Sequence, residues 1–92
     1  MSFDRKFFES FDVLVNHYAQ RENCPAPVVE FLLFDTAKFE VKHIVAVGEG
    51  WVAFTIYDKT GCSTDVVVPF EQIARIVLYR DPQKSEAIGF RL

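Results

Sequence analysis

The chain has 92 residues, half of them hydrophobic, and its 13 acidic and 10 basic side chains give a net charge of −3. This length suits one domain, residues 1–92, with a single core, and it is too short for a core plus a deep substrate cleft. The sequence has no block of basic residues, which argues against a nucleic-acid-binding protein. No apolar run approaches the ~20 residues of a membrane span.

The first predicted element is an amphipathic helix over residues 3–21. Its apolar side chains recur at the three- and four-residue spacing that places them on one helical face. Ser2 is the expected N-cap, and Asp4 then lies in the first turn, where the helix dipole favours a negative charge. Pro25 and Pro27 prevent the helix from continuing and form a stiff connector. The apolar stripe consists of Phe3, Phe7, Phe11, Leu14 and Tyr18, widened by Phe8 and Val15.

Residues 28–80 contain β-branched and aromatic runs separated by turn residues, which predicts five consecutive antiparallel strands. The clearest separators are Gly48-Glu49-Gly50 and Asp58-Lys59-Thr60-Gly61, and the second is typical of a tight turn. Pro69 ends the fourth strand, and the residues after it suffice for one helical turn. The predicted strands are 28–34, 39–47, 51–57, 62–68 and 74–80, and residues 81–92 form a mostly polar tail.

Two finer expectations concern the second predicted strand and the glycines after it. Alternation in this strand places Phe39, Val41, Val45 and Val47 on one face. The glycines of Gly48-Glu49-Gly50 are expected to adopt positive φ in a hairpin, because glycine has no Cβ atom to obstruct that conformation.

Several predicted strands are apolar on both faces, so they need a covering layer on each side. Closing the strands into a small barrel removes exposed strand edges, but one helix of about 19 residues is only ~28 Å long and cannot cover every strand. We therefore expect the helix and a second copy of the chain to cover the barrel together, which makes the protein a homo-oligomer. The candidate interface residues lie on the last two predicted strands and are Val66, Val68, Val77 and Tyr79.

No arrangement of residues in the sequence points to catalysis. His17 and His43 are the only histidines, and with two distant cysteines they make a weak basis for metal or nucleophile chemistry. Asp35 and Asp58 occupy predicted turns, where carboxylates usually bond their own backbone. No GxSxG, HExxH or phosphate-binding loop pattern occurs. We expect a protein that is not an enzyme and that has no metal and no cofactor.

Cys24 and Cys62 bear on the cellular compartment. A secreted chain of this size would normally carry more cysteines and a signal peptide, and residues 1–6 lack the basic-then-apolar order of such a leader. We expect a cytoplasmic protein without membrane association, in which both thiols are reduced and act as small hydrophobic groups.

The third predicted strand offers a candidate ligand face. Trp51 and Tyr57 share one face of this strand, and aromatic side chains on a barrel face can stack nucleic-acid bases or grip a peptide. Lys42 and His43 complete the candidate face. The alternative is that these aromatic side chains pack beneath the helix.

A helix, a five-strand meander and one helical turn before the last strand resemble the Sm-like/Hfq-like family of small barrels over roughly residues 3–80. The stretch 29–41 is similar to the first strand pair of that family, which an acidic turn joins. The resemblance implies a mainly β protein with one N-terminal α-helix, folded as a five-stranded antiparallel Sm-like/SH3-like open barrel. It also implies rings formed through the fourth and fifth strands of neighbouring subunits, and RNA as a partner. The loop that contacts RNA in the family reads Val47-Gly48-Glu49-Gly50-Trp51 here, so the resemblance bears on the fold more than on RNA binding.

A second, local resemblance leaves a peptide partner open as an alternative. The stretch Asp65-Val66-Val67-Val68-Pro69-Phe70, followed by Ile76-Val77-Leu78-Tyr79-Arg80, is similar to the closing strands of stringent starvation protein B. That family of protease adaptors has an N-terminal helix and a related open barrel, and the resemblance implies a peptide-binding adaptor. Residues 81–92 are too short for the long tether with which the family docks an unfoldase.

Overall fold

A computed structural model of the chain describes residues 3–80. These residues form two α-helices, one turn of 3-10 helix and six β-strands in two antiparallel three-stranded sheets, so the predicted order of helix and then antiparallel strands is confirmed. Ser2 and the predicted tail 81–92 lie outside the described residues. The elements are α1 (Arg5–Glu9), α2 (Phe11–Arg21), β1 (Val28–Leu33), β2 (Lys38–Val41), β3 (His43–Val47), β4 (Trp51–Tyr57), β5 (Ser63–Pro69), the 3-10 turn Phe70–Gln72 and β6 (Ile73–Tyr79).

The single helix predicted over residues 3–21 is wrong, because the helix breaks at Ser10. The backbone of Ser10 has φ −111° and ψ 20°, outside helical geometry. Its hydroxyl donates one bifurcated hydrogen bond, shared between the carbonyl oxygens of Lys6 at 3.2 Å and Phe7 at 3.4 Å. Such bonds compete with the main-chain ladder of a helix. The result is a short α1 followed by an eleven-residue α2.

Asp4 is itself the N-cap of α1, so the expectation that it lies in the first helical turn is wrong. Its carboxylate accepts a hydrogen bond from the Phe7 N–H at 2.9 Å, which satisfies one of the unpaired donors at the start of the helix. The buried face of the helices also differs from the predicted apolar stripe, since Leu14, a member of that stripe, is exposed. The helical side chains that enter the core are Phe8, Phe11 and Val15.

The second predicted strand is two strands, because the chain bends at Lys42 and passes from one sheet to the other. In the first sheet the order is β2-β1-β6, with Val41 opposite Val29. In the second sheet the order is β3-β4-β5, with His43 opposite Thr55. The count of five strands is therefore wrong, and the described residues form two sheets rather than one closed barrel.

A register shift within β3 changes which side chains share a face. The pairing with β4 shifts between Ile44 and Ala46, so Val45 is an extra residue in the ladder and its side chain is exposed. The expectation that Val45 lies on the same face as the buried Val41 is wrong, because the alternation already inverts at the Lys42 bend, after which Ile44 faces the core and Val45 faces outward. The register shift then returns Val47 to the core side.

The core lies between the two sheets and the helices. The Phe31 ring from β1 meets the Phe54 ring from β4 edge to face at 4.9 Å between centroids. The Phe8 ring from α1 stacks on Phe70 at 5.2 Å, which ties the helix to the 3-10 turn. Such pairs add about 0.5–1.5 kcal/mol beyond area burial. The buried cluster consists of Phe8, Phe11, Val15, Val29, Phe31, Val41, Val52, Phe54, Val68, Phe70 and Ile73.

The tight turn predicted at residues 58–61 is confirmed. Gly61 has φ +85°, and the Asp58 carboxylate accepts from the Thr60 N–H at 2.8 Å, the Thr60 hydroxyl at 2.6 Å and the Cys62 N–H at 3.0 Å. Asp35 likewise accepts from the main chain two residues on, at 3.0 Å. Both carboxylates therefore bond their own turns, as expected.

The positive φ expected at Gly48 and Gly50 is wrong, since Gly61 alone among the described glycines has it. Gly48 meets a different requirement. A Cβ atom placed there would lie 2.2 Å from Cε2 of Trp51, so the indole ring covers the glycine.

Candidate functional site

Four strands in the described range lie at a sheet edge, β2 and β6 in the first sheet and β3 and β5 in the second. β5 pairs only with β4, and β6 pairs only with β1. The outer edges of β2 and β3 differ, because the chain joins these strands at Lys42, whose N–H donates to the Thr55 carbonyl in β4 at 2.8 Å. Unpaired strand edges present main-chain donors and acceptors to any chain that approaches them. The β5 and β6 edges are therefore the candidate site of assembly.

The hairpin before β5 determines which main-chain groups the β5 edge presents. The Asp58 N–H donates to the Cys62 carbonyl at 2.9 Å and closes the hairpin. Hydrogen-bonded and non-hydrogen-bonded pairs alternate from that point, so Ser63, Asp65 and Val67 belong to non-hydrogen-bonded pairs. Their N–H and C=O groups consequently point away from β4, toward the unpaired side.

Pro69 at the end of β5 follows the same alternation. It lies opposite Trp51 in a non-hydrogen-bonded position, so the absence of a proline N–H removes nothing from the β4–β5 ladder. On the unpaired side the same proline shortens the run of donors. The usable edge is therefore the stretch from Ser63 to Val67.

The candidate interface side chains predicted from sequence fall into two groups. Val68 is buried and Val66 packs partly buried against the core. Val77 and Tyr79 are half-buried, and the Tyr79 hydroxyl donates to Glu30 at 2.9 Å. Their part in an interface stays a prediction.

Sequence reasoning missed Val67. Its side chain is 62% exposed, on the outer face of the sheet opposite Ala53. Three consecutive valines give no indication of which side faces the core. Because side chains alternate along a strand, the burial of Val68 places its neighbour Val67 on the outer face.

The candidate ligand face is only partly assembled. Lys42 is buried. Its ammonium nitrogen lies 2.5 Å from a Glu40 carboxylate oxygen and 5.9 Å from the centroid of the Tyr57 ring. His43 is on the adjoining strand. Trp51 is six residues from Tyr57 along β4, about 20 Å away at the usual rise of a strand. The structure therefore brings Lys42, His43 and Tyr57 to one end of the sheet and leaves Trp51 at the other.

A short hydrogen-bonded chain runs from β3 through β4 to β5. The Thr55 hydroxyl donates to Asp65 Oδ1 at 2.9 Å, and His43 Nε2 lies 3.2 Å from the same hydroxyl oxygen. Because a threonine hydroxyl has one proton, the histidine nitrogen is the donor to Thr55. A histidine that activates a hydroxyl nucleophile must instead accept that proton. The bond from Thr55 fixes the Asp65 carboxylate at the β5 edge.

Arg5 connects the first helix to the turn between β3 and β4. Its guanidinium bonds Glu9 at 2.8 Å and Glu49 at 2.7 Å, and these hydrogen bonds, Glu9 first, raise the pKa of Arg5 above its usual value. All three side chains are exposed. The bridge orients α1 over the Gly48–Gly50 turn.

Within residues 3–80 there is no group of three or more His, Cys, Asp or Glu side chains that could hold a metal ion. Cys24 is buried, Cys62 is exposed, and both are free. None of the helices in the described range has the length and apolar character needed to cross a membrane.

Comparisons of the chain with protein-family models, with curated proteins and with solved structures find no match. The resemblances to the Sm-like family and to stringent starvation protein B consequently stay predictions. What the fold contributes is the position of the unpaired β5 and β6 edges.

Proposed function

We propose that this chain is a non-enzymatic assembly module that forms a homo-oligomer by pairing β5 of one copy with β6 of the next. The observation that carries the proposal is the strand order. β5 and β6 correspond to the fourth and fifth strands predicted from sequence, and each has one partner among residues 3–80. These are the strands through which the Sm-like family, which the sequence resembles, joins its subunits.

The continuity of the two sheets supports a small open barrel as the folded unit. β2 and β3 are consecutive on either side of Lys42, and they follow each other as two halves of one bent strand. When β2 and β3 count as one bent strand, the strands form one curved sheet in the order β6, β1, β2–β3, β4 and β5. An open sheet of this kind has two different ends, and each needs a partner.

The two ends dictate the type of assembly. A contact between β5 and β6 joins two different surfaces, so it is heterologous and repeats from copy to copy. Such a contact closes into a ring when the rotation allows it, and otherwise grows into a filament. A ring leaves no strand edge open, which removes the aggregation hazard of long apolar edges.

The test is the molar mass in solution, measured by size-exclusion chromatography with light scattering at micromolar concentration. We expect a mass of at least two chains, an integral multiple of the 10.6 kDa of one chain. A wild-type chain that stays monomeric over this range contradicts the proposal.

Val67→Pro locates the contact. This change removes the N–H that points to the unpaired side and leaves the β4–β5 ladder intact, so we expect a folded monomer. Val67→Thr is the matched control, because it keeps the N–H and the β-branched shape and should stay oligomeric. Val67→Lys is a second disrupting variant, since lysine at an exposed edge is a common protection against pairing. Circular dichroism verifies that each variant is folded.

The unpaired β5 edge also favours one second candidate, a peptide-binding module that adds an extended segment of another protein to the sheet. If this candidate holds, the chain is monomeric and a pull-down from lysate retains a protease component or its substrates. Val67→Pro should abolish that retention. RNA binding has no comparable support within residues 3–80, because the Lys42 ammonium is already engaged by Glu40. The cytoplasmic location stays a prediction.

A further inference from the structure

We propose that the contact between copies is selected by charge, with Asp65 on the β5 edge of one copy paired with Arg75 on the β6 edge of the next. This inference rests on the assembly proposed above and adds which residues specify it. Its occupant is a second copy of this chain.

Asp65 is placed for such a contact. It is exposed, it lies in the non-hydrogen-bonded series whose main chain points to the unpaired side, and its side chain is on the outer face of the sheet. The bond from the Thr55 hydroxyl holds Oδ1 at 2.9 Å, and no other contact of the carboxylate falls within residues 3–80. The second carboxylate oxygen is therefore available in a fixed position.

Arg75 is on the outer face of β6, but it forms a hydrogen-bonded pair with Leu32, so its main chain points to β1 and not to the unpaired side. It is exposed and lies opposite Leu32, whereas the neighbouring Ile76 packs against the core. Its guanidinium makes no hydrogen bond or ion pair with the part of the chain that the structure describes. Alternation along the strand places Arg75 on the outer face, the same face that Asp65 occupies on β5.

The two edges have opposite charge. β5 reads STDVVVP with one acidic and no basic side chain, and β6 reads IARIVLY with one basic and no acidic side chain. Their core-facing residues are apolar on both strands. The main chain of Asp65 points to the open edge and that of Arg75 points away from it, so in a continuous sheet both side chains share the outer face when the two strands run parallel. Asp65 and Arg75 then lie opposite each other or on the diagonal.

The consequence is a preference for one kind of pairing. Two β5 edges would bring aspartates together and two β6 edges would bring arginines together, and like charges across strands are destabilising. Only the β5–β6 contact brings opposite charges together. Electrostatic complementarity of this kind gives specificity and register more than affinity, so it favours head-to-tail growth over a two-fold dimer.

Charge reversal tests the inference on the full chain. Asp65→Arg and Arg75→Asp alone should each weaken self-association about tenfold, since each replaces an attraction with a repulsion. The double variant should return to within about threefold of wild type. An equimolar mixture of the two single variants should also associate, because each then presents edges that complement the other. Dissociation constants come from sedimentation or from light scattering across a dilution series.

Two controls separate charge from folding. Asp65→Asn removes the charge and keeps an acceptor for Thr55, so it should retain wild-type thermal stability. Asp12→Arg makes the same charge change at an exposed residue of α2, outside both strands, and should leave association unchanged.

A monomeric wild type overturns the proposed function itself. An oligomeric wild type whose single variants associate normally, or whose mixture fails to associate, overturns only the charge pairing.

Discussion

Gly48 illustrates how a single residue can be fixed by its neighbour. A Cβ atom at this position would overlap the indole of Trp51, whose ring lies over the glycine. We predict that Gly48→Ala displaces the ring and costs about 1–3 kcal/mol, as overpacking commonly does. Trp51 is the only tryptophan, so its fluorescence reports the displacement as a shift to longer wavelength, and urea denaturation gives the stability.

Gly50→Ala is the matched control for this prediction. It makes the same chemical change two residues away, where a Cβ atom meets nothing within 4 Å. An unchanged emission spectrum in Gly48→Ala, or an equal loss of stability in both variants, would contradict the overlap.

Asp58 is the second residue with a specific consequence. Hydrogen bonds from the Thr60 side chain, then from the Cys62 and Thr60 N–H groups, hold the pKa of Asp58 below its usual value. A carboxyl whose pKa is lowered by folding stabilises the folded state above its unfolded pKa, and that contribution is lost as pH falls through the folded value. We predict a loss of stability below about pH 4 that Asp58→Asn lacks. Denaturation midpoints measured from pH 7 to pH 2 for both proteins test it, and identical profiles would contradict it.

At the level of elements, α1 owes its position to Phe8. This ring is 4% exposed and contacts Phe11, Phe31 and Phe70 from the second helix, the first sheet and the 3-10 turn. We predict that Phe8→Ala lowers the free energy of unfolding by about 3–5 kcal/mol. Val13→Ala removes an apolar side chain that is 64% exposed and should change stability by less than about 0.5 kcal/mol. Urea denaturation of both variants provides the comparison.

Strand positions could be predicted from the sequence because turn chemistry is local. The Asp58–Gly61 turn and Pro69 delimit β4, β5 and β6 to within one or two residues of their predicted bounds. The two breaks that the sequence does not show are at Ser10 and Lys42. A serine is compatible with a helix interior and a lysine with a strand interior, so local preference cannot signal either break. The bend at Lys42 occurs where pairing with β1 in the first sheet gives way to pairing with β4 in the second.

The candidate site was predictable in outline only. Alternation shows that Val66, Val67 and Val68 cannot all face one side, but it does not say which side is buried until the helices are placed. The proximity of Lys42 to Glu40 follows from alternation in a strand, whereas that of Lys42 to Tyr57 depends on the bend. The pairing of Asp65 with Thr55 depends on the β4–β5 register and was not predicted.

For the whole molecule, the pairing of β1 with β6 has a consequence for the order of folding. The hairpins β1–β2, β3–β4 and β4–β5 join neighbours in the chain, whereas Val28 pairs with Tyr79 at the far end of the described strands. Closing so long a loop is slow relative to hairpin formation. During synthesis one edge of β1 therefore stays unpaired until β6 leaves the ribosome. We expect chains truncated before residue 73 to self-associate through this edge.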